Sequence, residues 1–188
     1  PAVVAPEGFE AQEGFVADCA RRFADADAIV GDDVRWSYRE LAAQAAGAAD
    51  AFAKLGVRPG EHVGVLLPNW PEFFATVVGI TSLGAVAVCL NTMASESELG
   101  FYLRHAGVER LVYTPRFLKH DYDAMLARLA QGEGGGEPIA LRERIAVLRD
   151  GVPLPAGACD YRDAVRPHPR GAERLAELEA EQGGLHDA

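Results

Sequence analysis

His62-Val63-Gly64-Val65-Leu66-Leu67-Pro68-Asn69-Trp70-Pro71 opens the stretch whose reading decides the fold. Residues 62–67 form a short continuous apolar run, as expected of a strand covered on both faces. Pro68 breaks the run, and Pro71 is suited to the first turn of a helix, where its missing N–H costs nothing. The segment from Glu72 to about Leu83 is almost entirely apolar and predicts a largely covered helix, stopped by Gly84. Ala85-Val86-Ala87-Val88-Cys89-Leu90 then predicts a second buried strand. Ser95-Glu96-Ser97-Glu98 has capping-box spacing and opens a helix to His105, after which Gly107 leads into the strand Arg110–Tyr113. Strand, helix, strand, helix, strand with short links argues for right-handed crossovers and a mainly parallel sheet. The predicted fold class is α/β, a layered sheet with helices on both sides.

Upstream, Phe9 to Phe23 carries apolar residues at helical spacing, with Arg21 and Arg22 suited to the negative end of the helix dipole. Ala28-Ile29-Val30 and Val34-Arg35-Trp36 read as two short strands around the polar turn Gly31-Asp32-Asp33. Ser37-Tyr38-Arg39-Glu40 is a second capping box, followed by an alanine-rich helix to about Leu55 that Gly56 ends. Downstream, residues 121–130 read as a helix, 131–137 as a glycine-rich surface loop, and 145–148 as a further strand. A short helix is expected near Asp160–Val165 and an acidic amphipathic one over Ala172–Gln182. The final Gly183-Gly184-Leu185-His186-Asp187-Ala188 reads as a chain interrupted in mid-course.

The chain has 188 residues, enough for one substantial domain or two small ones. Its 18 basic and 28 acidic residues give a formal net charge of −10, which argues against nucleic acid or anionic lipid as a partner. Cys19, Cys89 and Cys159 have no C-x-x-C spacing, and each has apolar or small neighbours, so all three read as core residues. No apolar run approaches the roughly 20 residues of a membrane span, and Pro1–Pro6 lacks the basic segment of a secretion signal. These features together predict a cytoplasmic protein.

The residues quoted so far supply no catalytic motif. G-x-x-x-x-G-K-[ST], G-x-S-x-G, H-E-x-x-H and a G-x-G-x-x-G after a strand are all missing. Gly134–Gly136 lacks the preceding strand that a phosphate cradle needs. The histidines at 62, 105, 120, 168 and 186 share no metal-ligand spacing, and His62 and His105 read as structural or solvated. Asp121 and Asp123 read as helix-start carboxylates. Asn69 and Trp70 read as a structural turn, with a substrate wall as the alternative.

Segment order adds more. Trp36-Ser37-Tyr38-Arg39-Glu40-Leu41 resembles the "(L/W)-(S/T)-Y-x-E-L" signature of adenylate-forming enzymes, which include acyl-CoA synthetases, luciferases and peptide-synthetase adenylation domains. Gly56–Val65 is similar to that family's entry into a core strand, Leu66–Phe73 to its "l-p-N-s-p-e-f", and Gly79–Asn91 to its "G-x-x-x-x-G-a-v-x-x-p-l-N". Glu98–His105 resembles the following helix. Arg116-Phe117 with Asp121-Tyr122 resembles "F-R-x-x-D-Y-x-x-M", found in a branch that activates medium-chain, cyclic or carnitine-like acids. The matches run in order over about 28–126; residues 127–188 match loosely.

The resemblance implies an ATP-dependent acid–thiol ligase that converts a carboxylate to acyl-AMP and then to acyl-CoA, using ATP, Mg²⁺ and CoA. It divides the chain into a peripheral N-terminal helix (1–26), an α/β subdomain with the family motifs (27–130) and an extension (131–188) ending just before the expected phosphate-binding loop. It therefore implies a catalytically incomplete N-terminal fragment with no catalytic or metal residues of its own. Its partners would be the carboxylic acid, CoA and the C-terminal remainder of the enzyme, with homo-oligomers possible through bare faces. Arg116 and Lys119, after the strand ending at Tyr113, are the candidate contacts for a CoA phosphate. The alternatives are a non-catalytic binding module derived from this subdomain, and a flavodoxin-like nucleotide-binding regulator. The latter would need a phosphate loop after an early strand, for which Pro68-Asn69-Trp70-Pro71 is a poor substitute.

Overall fold

A computed structural model describes residues 14–31, 34–133, 136–149 and 151–186. The predicted start of the first helix at Phe9, the turn residues Asp32-Asp33, Gly134-Gly135 of the surface loop and the terminal Asp187-Ala188 lie outside the described residues.

Five parallel strands form the central sheet: β3 (His62–Leu66), β4 (Val86–Cys89), β5 (Arg110–Tyr113), β8 (Glu143–Ala146) and β9 (Cys159–Asp160), in the order β4-β3-β5-β8-β9. Register is regular: Val65 lies between Cys89 and Val112, and Val112 pairs on to Ile145. Alternation along the strands sorts their side chains onto two cores. Val63, Val65, Val112 and Ile145 face α2 (Tyr38–Lys54), α3 (Pro71–Thr81) and Leu178 of α7 (Gly171–His186). Leu66, Leu111, Tyr113 and Ala146 face α4 (Glu96–His105) and α5 (Tyr122–Ala130). The α/β prediction with helices on both faces therefore holds.

The alanine content of α2 has a packing cause as well as a propensity one. Ala48, Ala49 and Phe52 join the first core, whereas Ala42, Ala45 and Ala46 join a third core with Ala17 and Ala20 of α1 (Phe15–Arg22) and Leu175 of α7. A helix covered on two sides needs small side chains if its neighbours are to approach closely. Glycines complete the fit. A Cβ on Gly79 of α3 would lie 2.7 Å from Ala45 O, and one on Gly47 of α2 would lie 2.1 Å from Arg166 O. α1 is tied to the far end of the chain: its N-cap Gly14 donates its backbone N–H to Glu179 Oε2 of α7 at 2.7 Å.

Several expectations need correction. β4 is an edge strand, with Val86 and Cys89 exposed, because strand order puts its second side against nothing in the described sheet. Cys159 is also exposed, on the opposite edge, so only Cys19 is a core residue. α3 is largely covered, as predicted, although Phe74 is 40% exposed. The last predicted strand begins two residues early, at Glu143. A hairpin that the sequence reading did not foresee, β6 (Arg116–Phe117) with β7 (His120–Asp121), follows β5. β1 (Asp27–Val30) and β2 (Arg35–Ser37) pair antiparallel, as expected.

Both capping boxes are formed. Ser37 Oγ accepts from Glu40 N while Ser37 N donates to Glu40 Oε2 at 2.7 Å, and Ser95 with Glu98 repeats the pattern at 2.8 Å. The backbone and side-chain hydrogen bonds from Ser37 hold the Glu40 carboxyl below its usual 4.5, and those from Ser95 do the same for Glu98. A carboxylate whose folded pKa is depressed contributes stability above its unfolded value, and that stability is lost as pH falls through the folded one. Ser37→Ala and Ser95→Ala should each cost about 1 kcal/mol at pH 7 by urea unfolding. The double variant should also lose less stability than the parent when the pH is lowered from 5 through the acid range. A parallel loss in both proteins would rule out the boxes as acid-sensitive elements.

Candidate functional site

In open α/β sheets, ligands bind outside the carboxyl ends of the strands where the strand order reverses. Successive strands here leave β3 first to one side, as β4, and then to the other, as β5, so the reversal lies between β3 and β5. Counted along the chain, the order is 2-1-3-4-5, the flavodoxin-like pattern. Three segments leave the sheet beside this point: residues 67–70 after β3, 114–117 after β5 and 147–149 after β8.

Their side chains meet across the crevice. The Trp70 ring meets Phe117 edge-on, with centroids 6.0 Å apart, and the Arg149 guanidinium stacks over Trp70 at 4.7 Å. Arg149 Nη2 also donates to both carboxylate oxygens of Glu72, each at 2.7 Å, on the first turn of α3. A cation held between an aromatic face and a carboxylate fixes the β3–α3 turn against the exit of β8. The turn itself is closed by backbone, with Trp70 N–H donating to Pro68 O at 2.6 Å, while Asn69 lies exposed. Pro68 has no donor and Pro71 occupies the first helical position, so this turn cannot present the row of N–H groups that a triphosphate requires.

Arg116 and Lys119 lie at the same end of the sheet. Arg116 pairs with Asp121 at 3.2 Å across the hairpin, and Lys119 is exposed at its turn next to Leu118, whose φ is 52°. Asp121 caps α5 by accepting from Ala124 N, as its reading as a helix-start carboxylate predicted. Asp123 lies in the first turn of α5, as predicted, and also accepts from the Tyr113 hydroxyl and from Arg144, both at 3.0 Å. Burial, reinforced by the Asp123 carboxylate, raises the Tyr113 phenol well above its usual range. His120 is 9% exposed and stacks on Tyr122, and its Nε2 has no hydrogen-bond partner among the described residues.

Sequence alone singles out Trp70 but not its partners Phe117 and Arg149, nor Glu72, which holds Arg149. Only the apolar run before Arg149 hinted that a strand delivers it there. Other chemistry is poorly supported. Burial raises the Cys89 thiol above its ordinary value, the reverse of an activated nucleophile. No cluster of three His, Cys, Asp or Glu able to hold a metal occurs among the described residues. No helix among them is long and apolar enough to cross a membrane.

Comparison with known proteins gives a consistent result. The family described as "AMP-binding enzyme" matches residues 16–169. The acyl-CoA ligase sidI of Aspergillus fumigatus is 29% identical over 144 residues, covering 69% of this chain and 24% of that protein. The long-chain-fatty-acid–CoA ligase FadD13 of Mycobacterium tuberculosis is 38% identical over 81 residues, 43% of this chain and 16% of that protein. Among solved structures, the N-terminal domain of FACL13 from M. tuberculosis superposes with a TM-score of 0.61 at 27% identity, over 70% of this chain and 32% of that one. The anthranilate CoA ligase AuaEII, in complex with anthranoyl-AMP, shares the fold with a TM-score of 0.68 at 24% identity, over 82% of this chain and 28% of that one. The chain thus spans about a quarter of the length of the first of these relatives and matches their N-terminal portion.

Proposed function

This chain belongs to the AMP-binding enzyme family, and from that membership we propose that it forms the N-terminal scaffold of an ATP-dependent acid–thiol ligase of the acyl-CoA synthetase kind. The whole protein would join a carboxylic acid to AMP from ATP, with Mg²⁺, and then pass the acyl group to CoA. In this reading the chain contributes architecture, and the triphosphate is gripped by segments outside it.

The observation that supports this division is the contact of Trp70 with Phe117 and Arg149 across the crevice between β3 and β5. Trp70, Phe117 and Arg149 occupy the place where a sheet of this strand order would admit a nucleotide, and the adjoining turn carries two prolines. These residues do not fit a triphosphate. The hairpin after β5 fits a different task, since Lys119 and the paired Arg116 present cations that could meet a phosphate of CoA.

Acid-dependent exchange of pyrophosphate into ATP, followed by CoA-dependent thioester formation, tests both parts. The 188-residue chain alone should give no exchange, and the full-length gene product should give it. In the full-length protein, Arg116→Ala and Lys119→Ala should leave exchange intact and raise the KM for CoA about three- to tenfold, as expected for exposed ionic contacts. Exchange by the isolated chain would overturn the scaffold reading, whereas an unchanged KM would remove only the CoA contacts.

A further inference from the structure

The hairpin that follows β5 is too small to hold its own shape. It consists of two residue pairs, Arg116 with Asp121 and Phe117 with His120, and its turn places Leu118, which is not a glycine, at a φ of 52°. The Arg116–Asp121 ion pair stands largely in water and adds little. What fixes the hairpin therefore comes from its surroundings. One support is the contact of Phe117 with Trp70 described above. The other is Tyr122, the first residue of α5.

Tyr122 is buried in the core that contains Leu66, Leu90 and Leu99. Its N–H donates to Pro115 O at 2.9 Å and closes the base of the hairpin. Its ring lies parallel to that of His120, with 4° between the planes and centroids 5.6 Å apart. Its hydroxyl donates to Thr92 O, in the loop between β4 and α4. That loop is itself well braced. Met93 N–H donates to Asn91 Oδ1 at 2.8 Å, Ala94 N–H donates to Asn91 O at 3.1 Å, and the Ser95–Glu98 capping box follows directly. β4 and β5 lie on opposite sides of β3, so the sheet does not pair the strands that carry these two segments. The Tyr122 hydroxyl joins them instead. Arg116, Phe117, Asp121 and Tyr122, conspicuous together in the sequence, thus have separate tasks. Arg116 presents a charge, Asp121 faces it and caps α5, Phe117 leans on Trp70, and Tyr122 ties the whole to a second loop.

We propose that Tyr122 is a positioning residue for the thioester-forming half of the reaction: through His120 and Thr92 it locks the hairpin against the β4–α4 loop and so sets where Arg116 and Lys119 meet a phosphate of CoA. This inference rests on the reading of those two cations given above. Tyr122 is buried and touches no ligand itself. A hairpin already fixed loses less freedom when a ligand arrives than a loose one does, so the clamp acts on CoA binding and not on the chemistry of the acyl group.

Tyr122→Phe in the full-length gene product tests it, because the variant keeps the ring and its stack on His120 and lacks only the hydroxyl. Its KM for CoA should rise about threefold or more while kcat changes by less than about twofold. Acid-dependent pyrophosphate exchange, which needs no CoA, should match the parent. In a background of Arg116→Ala and Lys119→Ala the same substitution should leave the KM where that background sets it, because Tyr122 acts through those cations. An unchanged KM in Tyr122→Phe beside a raised one in Arg116→Ala overturns the clamp and leaves the CoA contacts standing. Equal losses in exchange and in thioester formation, or an effect that survives in the double-alanine background, overturn it in favour of a general structural role. An unchanged KM in Arg116→Ala and Lys119→Ala as well removes the CoA contacts and the clamp together.

Discussion

Gly79→Ala should destabilise the protein by about 2–4 kcal/mol, although it replaces a helix-interior glycine with the best helix former. Propensity alone predicts a gain of about 1 kcal/mol at such a site. The opposing term is steric and larger. The new Cβ would stand 2.7 Å from Ala45 O and 2.8 Å from both Ala48 Cβ and Ala49 N, so α3 meets the backbone of α2, which has no rotamer to change. Gly100 in α4 supplies the control. Its Cβ would meet Leu129 Cδ2 at 2.6 Å and the Arg104 guanidinium at 3.0 Å, side-chain ends that can give way. Gly100→Ala should therefore stay within about 1 kcal/mol of the parent, where the propensity gain and a small repacking cost offset each other. Urea midpoints of the two variants measured together decide the matter. Equal effects would show that the α2–α3 contact is looser than its geometry.

Arg149→Ala should cost about 2–3 kcal/mol, and Glu72→Ala a similar amount. The Glu72 side chain is 15% exposed and that of Arg149 30%, so removing either partner strands the other in a setting poor in water. The double variant should cost little more than one single change, because the stranded charge is then gone. A coupling of about 1–2 kcal/mol in that cycle identifies the pair as one unit. Fluorescence adds a second readout. Trp70 loses the cation over its ring in Arg149→Ala, so its emission should change, whereas the same substitution in a Trp70→Phe background should leave emission from Trp36 unaltered. Strict additivity would mean that Arg149 and Glu72 stabilise the turn independently.

What could be read from the sequence was local. The succession from β3 to β5 is legible because hydrophobic period, proline and glycine punctuation and the Ser95–Glu98 box agree over neighbouring residues. The edge position of β4 is not legible. Ala85–Leu90 reads like a buried strand, and only strand order, a long-range property, leaves one of its sides open. The same holds for α2, whose alanines announce a helix but not that it is covered on two sides. The hairpin at 116–121 escaped because its turn uses Leu118 at positive φ, where glycine or asparagine would have signalled it. At the candidate site, Trp70 stood out beside two prolines. Arg149 comes from another strand and could be recognised only in three dimensions.

The bond from Gly14 to Glu179 spans 165 residues, so the first described helix is completed by the last one. Eight residues are too few to hold a helix in water without a packed face, and α1 packs chiefly on α2 and α7. At roughly 5–20 residues per second, a ribosome needs about 8–33 s to travel from one partner to the other. Through that interval α1 must emerge and wait, unfinished, while the sheet takes shape behind it. Translation therefore delivers the central sheet before α1 can settle, and pauses between the codons for α1 and those for α7 prolong the exposure of α1.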